Sequence, residues 1–136
     1  MSEESKPMTS KPNILMIVTD QEYAHQPMPA EFALPARDRI RSRGVTFTNH
    51  YCTTTVCTPS RSVIYTGQHT PHTRMFDNTN FAWIDDMRAD PEALPTIGHM
   101  LRAQGYYTVY KGKWHLSEFP AGDTRDAMES YGFSDY

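Results

Sequence analysis

Ile14-Leu15-Met16-Ile17-Val18 is an unbroken apolar run closed by Thr19-Asp20-Gln21 and preceded by Lys11-Pro12-Asn13. Five residues are too few for an amphipathic helix, and the absence of alternation excludes a half-buried strand. The run therefore reads as a short strand buried on both faces, as in a parallel sheet covered by helices. Further punctuation fits that architecture. Ala36 to Arg43 forms a helix candidate stopped by Gly44, and Val45-Thr46-Phe47-Thr48 alternates as a strand does. Thr58 is placed to cap a helix with Pro59 in its first turn and Gly67 at its end. Pro95 opens another helix, with Ile97, Met100 and Leu101 on one face and Gly105 at its end. Tyr106 to Tyr110 is β-prone. The proline-rich stretch 22–35 and residues 68–94 read as loops, residues 1–12 as a disordered leader, and 13–136 as one domain without internal repeats. Strand, helix and strand at this spacing predict an α/β fold with parallel strands.

Composition removes several classes of function. The 136 residues hold 13 Lys and Arg against 16 Asp and Glu, a net charge of −3. That balance gives no electrostatic case for nucleic acid. No apolar run approaches the roughly 20 residues of a membrane helix. Residues 1–11 contain no apolar segment of a secretory signal, so a cytoplasmic location is the expectation. Two cysteines, Cys52 and Cys57, are too few for a disulfide framework, and no C-x-x-C supports structural zinc. Pro71 within Gln68-His69-Thr70-Pro71-His72 argues for a polar loop over a shared helical face for the two histidines.

Four pieces of the sequence bear on chemistry. Asp20-Gln21 follows the first predicted strand, where ligands collect in open α/β sheets. A carboxylate and a neutral oxygen there suit a hard divalent cation, although taken alone Asp20 reads first as the cap of the next turn. Cys57 stands at the start of a predicted helix, where unpaired N–H groups and the macrodipole favour a thiolate or a bound oxyanion; a buried structural cysteine is the blander reading. Cys52 lacks that context and reads as structural. Arg61 falls in the first turn of the same helix, either as an anion clamp or as a solvated charge. Lys113 and His115 are two apart, on one side of an extended chain, as a cation and a proton-transfer group or as a basic loop around Trp114.

The order Cys57-Thr58-Pro59-Ser60-Arg61, followed by Thr66-Gly67, resembles the signature of the sulfatase family. Asp20-Gln21, Gly112-Lys113-Trp114-His115-Leu116 and the closing Tyr131-Gly132-Phe133-Ser134-Asp135-Tyr136 are similar to the N-terminal part of sulfatases, in order and approximate spacing. The resemblance covers nearly all of the chain after residue 12. It implies the N-terminal part of an alkaline-phosphatase-like fold, a mixed or parallel sheet flanked by helices and incomplete in this chain. It implies that Cys57 is converted to formylglycine by a formylglycine-generating enzyme and that its hydrate also ligates the metal. Asp20 and Gln21 match the first metal-binding pair. Many members have two aspartates there, and the glutamine is similar to a variant seen in phosphonate monoester hydrolases and some sulfatases. Arg61 matches the residue that steadies the hydrate, Lys113 the sulfate-binding lysine and His115 the adjacent catalytic histidine. Asn78, in the aromatic segment from Phe76 to Trp83, is a further substrate-contact candidate.

The implied reaction is sulfate ester hydrolysis with Ca2+, or alternatively Mg2+ or Mn2+, on a small molecule or carbohydrate. One hydroxyl of the hydrated aldehyde attacks sulfur, and the second later expels sulfate, which a thiol cannot do. Family members are several times longer, and their second metal-binding pair and further pocket residues lie in the C-terminal half. The expectation is therefore a fragment with half an active site, completed by the missing C-terminal part. The alternatives are a phosphonate or phosphate ester hydrolase of the same superfamily, a truncated non-catalytic protein, and a hydrolase that keeps the Cys57 thiol as nucleophile.

Overall fold

The structure is a computed structural model that describes residues 11–23, 28, 29, 31–79, 81–88, 90–118 and 124–136. The predicted leader lies outside these residues except for exposed Lys11 and Pro12. The chain divides into two units, Met1–Phe32 and Ala33–Tyr136. In the first unit the apolar run is not a strand: Ile14, Leu15, Met16, Ile17 and Val18 are all exposed and without ladder partners in the described chain. A strand is a paired object, because its backbone donors and acceptors are satisfied by a neighbour, so an apolar run alone does not make one.

The second unit is helical with long irregular connections. Helices α1 (Pro35–Arg41), α2 (Cys57–Thr66), α3 (Thr70–Thr73), α4 (Ile97–Ala103) and α5 (Thr124–Glu129) follow in order. The predicted strand at 45–48 is absent, and Val45 and Phe47 are exposed. The β-prone stretch 106–110 is realised only as one parallel bridge, Val109 with Asp135. Tyr110 N–H donates to the Asp135 carbonyl at 3.0 Å and Ser134 N–H to the Thr108 carbonyl at 2.8 Å. Helix α3 corrects the loop reading of 68–73: Pro71 falls within its first turn, where a missing N–H costs nothing.

Helix α2 starts two residues earlier than the proline implies, with Val56 rather than Thr58 at the cap, and ends at Gly67 in the left-handed conformation (φ 69°). Helix α4 starts at Thr96, whose hydroxyl accepts from His99 N–H while the His99 side chain accepts from Thr96 N–H, a closed capping box. Its buried residue is Gly98, whereas Met100, expected on the inner face, is exposed. The reason is close backbone approach: a Cβ at Gly98 would lie 2.7 Å from the Tyr131 carbonyl oxygen.

The core is mostly aromatic and methionine: Tyr65, Met75, Met87, Trp114, Leu116, Met128, Tyr131 and Phe133. Trp114 is its hub, stacked on Tyr65 at 5.3 Å and in edge or tilted contact with Tyr110, Tyr131 and Phe133. Such offset and T-shaped pairs add to burial through ring quadrupoles, about 0.5–1.5 kcal/mol each. The closing segment 131–136 thus packs against the residue between Lys113 and His115.

Candidate active site at the start of the second helix

Helix α2 presents Cys57 as its first residue, half-buried and a free thiol; Cys52 is also free, and it is exposed rather than structural. An α-helix leaves its first four N–H groups without intrahelical acceptors. Here Pro59 has none to leave, and Ser60 N–H bonds the Val56 carbonyl at 3.0 Å. Thr58 N–H donates to Asn78 Oδ1 at 3.0 Å. Asn78 therefore caps α2 from twenty residues away, and its carbonyl oxygen is engaged by the helix. Nothing in the local sequence around Asn78 announces this role.

Thr58 is fully buried, and its hydroxyl donates to the His115 carbonyl at 2.6 Å. One turn on, Arg61 is 6% exposed, and its Nη1 donates to the Lys113 carbonyl at 2.6 Å. The reading of Arg61 as a solvated charge fails on this burial. The second helix and the 113–115 turn are thus joined directly, through side chains of the helix and main-chain carbonyls of the turn. Lys113 is exposed and His115 half-buried. His115 has φ 59°, the left-handed region that side-chain-bearing residues enter only at a cost.

The structure therefore brings Cys57, Arg61, Lys113, His115 and Asn78 into one connected arrangement within the second unit. Asp20 and Gln21 belong to the first unit, where both are exposed and Gln21 has φ 56°. Among the described residues no three His, Cys, Asp or Glu side chains come together as a metal cage. The described side chains of this chain do not by themselves form a cage for a divalent ion.

Two site residues escaped the sequence reading. Tyr110 donates its phenol to the Lys113 carbonyl at 2.5 Å, and Tyr65 lies 2.9 Å from the Tyr110 oxygen. Burial, reinforced by the Tyr65 bond, pushes Tyr110 ionisation far above the ordinary tyrosine value. The available signal was helical spacing: Thr58, Arg61 and Tyr65 fall at i, i+3 and i+7, one face of α2.

The chain is similar to known proteins over most of its length. The sulfatase family model matches residues 12–136. An ulvan-active sulfatase of Formosa agariphila is 35% identical over 119 residues, covering 83% of this chain and 21% of the relative. A choline-sulfatase of Rhizobium meliloti is 34% identical over 111 residues, 79% of this chain and 20% of the relative. An arylsulfatase of Hemicentrotus pulcherrimus is 33% identical over 122 residues, 85% and 21%. The chain thus spans about a fifth of the length of these relatives. No solved structure matches significantly. With the family model spanning nearly the whole chain and these identities beside it, the chain belongs to the sulfatase family, which implies an alkaline-phosphatase-like α/β fold.

Proposed function

We propose that this chain carries the nucleophile-bearing part of a sulfuric ester hydrolase active site. The observation that carries the reading is the direct tie between the start of α2 and the 113–115 turn, Thr58 to His115 and Arg61 to Lys113. It puts the residue at 57 beside a turn bearing one cation and one imidazole. Sulfate monoester hydrolysis needs these groups: a nucleophile, positive charge for the oxygens of the transition state and a group that moves a proton.

Sulfatases generally use formylglycine and a divalent metal. In this reading Cys57 is the formylglycine precursor, modified by a formylglycine-generating enzyme, and the hydrated aldehyde supplies two hydroxyls on one carbon. The Lys113 ammonium binds a sulfate oxygen. His115 exchanges a proton with the reacting ester or the nucleophile. Arg61 contributes buried positive charge behind the nucleophile while it holds the Lys113 carbonyl. Asp20 and Gln21 would contribute oxygens to Ca2+, with Mg2+ and Mn2+ as alternatives, alongside ligands from the remaining part of the sulfatase. The substrate class is a sulfated small molecule or carbohydrate. Gln21 in place of a second aspartate keeps a phosphonate or phosphate ester as the second reading.

The test is the mass of the peptide containing residue 57, from a host able to install formylglycine, combined with turnover of an aryl sulfate in calcium. Replacement of sulfur by a carbonyl oxygen is expected. A wholly unmodified thiol refutes the nucleophile assignment. Preference for an aryl phosphonate over the aryl sulfate selects the second reading. Turnover by the 136-residue chain at the rate of a full-length sulfatase refutes the requirement for completing ligands.

A further inference from the structure

The turn bearing Lys113 and His115 is gripped by its main chain. The Gly112 carbonyl accepts the Tyr136 hydroxyl at 3.3 Å. The Lys113 carbonyl accepts both Arg61 Nη1 at 2.6 Å and the Tyr110 hydroxyl at 2.5 Å, which occupies its two lone pairs. The His115 carbonyl accepts the Thr58 hydroxyl at 2.6 Å. Tyr110 has one proton, and it goes to Lys113. The Tyr65 hydroxyl, 2.9 Å away, must therefore donate to the Tyr110 oxygen. The result is a directed relay, Tyr65 to Tyr110 to the Lys113 carbonyl, parallel to the Arg61 bond.

Two further facts give this grip a purpose. Three of its members are buried, Thr58 at 0%, Tyr65 at 4% and Arg61 at 6% exposure, where water does not readily replace a lost bond, whereas Tyr110 and Tyr136 are half-buried. His115 has φ 59°, a conformation that persists only where the surroundings enforce it. The bond from Thr58 reaches the carbonyl of that strained residue, and Thr58 is covalently next to Cys57.

We propose that Thr58, Tyr110 and, behind it, Tyr65 are positioning residues: by fixing the Lys113 and His115 carbonyls they hold His115 left-handed and set where the ammonium and imidazole lie relative to residue 57. The functional consequence rests on the reading of Lys113 and His115 given above, and the experiment separates the two. In the isotope-labelled 136-residue chain, His115 is followed by NMR through its Cα and Cβ shifts, which report backbone conformation, and through its imidazole titration. Thr58→Val and Tyr110→Phe, both near-isosteric, are expected to move the Cα and Cβ shifts away from left-handed values. They are also expected to move the titration midpoint by at least about 0.3 pH unit, a twofold change in proton affinity. Thr58→Ser restores both, Tyr65→Phe acts in the same direction more weakly, and Tyr107→Phe, at a residue 72% exposed, changes neither. Wild-type shifts and titration in Thr58→Val or Tyr110→Phe, with only a lowered melting temperature, overturn the proposal and leave these residues as packing. If Thr58→Val does not fold, Tyr110→Phe and Tyr65→Phe decide by the same two readouts. In preparations that turn over aryl sulfate, the same variants are expected to lower kcat with KM little changed, and Thr58→Ser to rescue it. A wholly unmodified thiol at residue 57 counts against the hydrolase reading alone, because the NMR outcome stands without it.

Discussion

Substitution of Gly132 by alanine tests the close approach of its backbone to Gly98 and His99. Gly132 has φ 81°, and a Cβ there would lie 2.3 Å from His99 N, 2.6 Å from the Gly98 carbonyl carbon and 2.8 Å from His99 Cδ2. Two costs follow. A side chain in the left-handed region costs about 1–2 kcal/mol. A methyl group forced against backbone, which cannot rotate away, adds about 1–3 kcal/mol of overpacking. The displacement also endangers two buried bonds, Thr96 Oγ1 to the Tyr131 carbonyl at 2.5 Å and Thr108 Oγ1 to the Gly132 carbonyl at 2.7 Å. The expected loss is about 2–5 kcal/mol, a large part of the roughly 5–15 kcal/mol typical of a folded domain. Gly67→Ala is the matched control: φ is 69°, and nothing lies within 4 Å of its Cβ, so only the first cost applies, about 1–2 kcal/mol. Urea unfolding followed by Trp114 fluorescence measures both. Trp114 is 3% exposed and ringed by aromatics, and Trp83, 66% exposed, is removed beforehand as Trp83→Phe. Equal losses for Gly132→Ala and Gly67→Ala, within about 0.5 kcal/mol, would refute the close-approach argument, since additive errors are of that size. Because Tyr131 and Phe133 pack on Trp114, the same variant is expected to disturb the resonances of Lys113 and His115.

His99 makes stability fall in acid. Burial, with a smaller contribution from Arg102, holds its ionisation below the ordinary histidine value, against raising effects from Ser130, Asp90 and Glu129. Its Nδ1 must be unprotonated to accept Thr96 N–H at 3.2 Å. A folded value below the unfolded one means that this stability is present above about pH 6.5 and lost as pH falls through the folded value. Urea midpoints are expected to drop from pH 7 to pH 5 in the parent and to drop less in His99→Gln, where glutamine can keep the capping box; an equally steep drop in the variant rejects His99 as the source. Asn78→Ala leaves Thr58 N–H without its acceptor and is expected to cost about 1 kcal/mol, whereas Asn78→Asp keeps an acceptor and adds a favourable charge at the helix N-terminus. Equal melting temperatures for the two variants would rule out the capping role.

The features legible in the sequence were those caused locally. Pro59 in the first turn and Gly67 at the end mark α2 because a proline tolerates a helix start and a glycine a left-handed end, and both act within a few residues of themselves. The helices expected at 36–43 and after Pro95 are present, but α1 takes Pro35 from the predicted loop as its first residue and ends at Arg41, and α4 is capped by Thr96. The motif residues Cys57, Arg61, Lys113 and His115 were identifiable because their types and order carry the resemblance, and the family match now covers them. Tertiary structure decided what depends on partners distant along the chain. Ile14 to Val18 has strand composition but no ladder among the described residues, since pairing is a property of two segments. Thr58 looked like a cap and instead donates to a carbonyl fifty-seven residues away, while Asn78, which looked like a substrate contact, supplies a cap. Tyr65 and Tyr110 carried no motif at all. Their role arises only when folding brings two hydroxyls into line on one carbonyl. The sequence thus determined which chemical groups this protein brings to its site, because residue type sets chemistry. Only the tertiary structure decided what holds them in place, because a hydrogen bond between distant segments exists nowhere but in the folded chain.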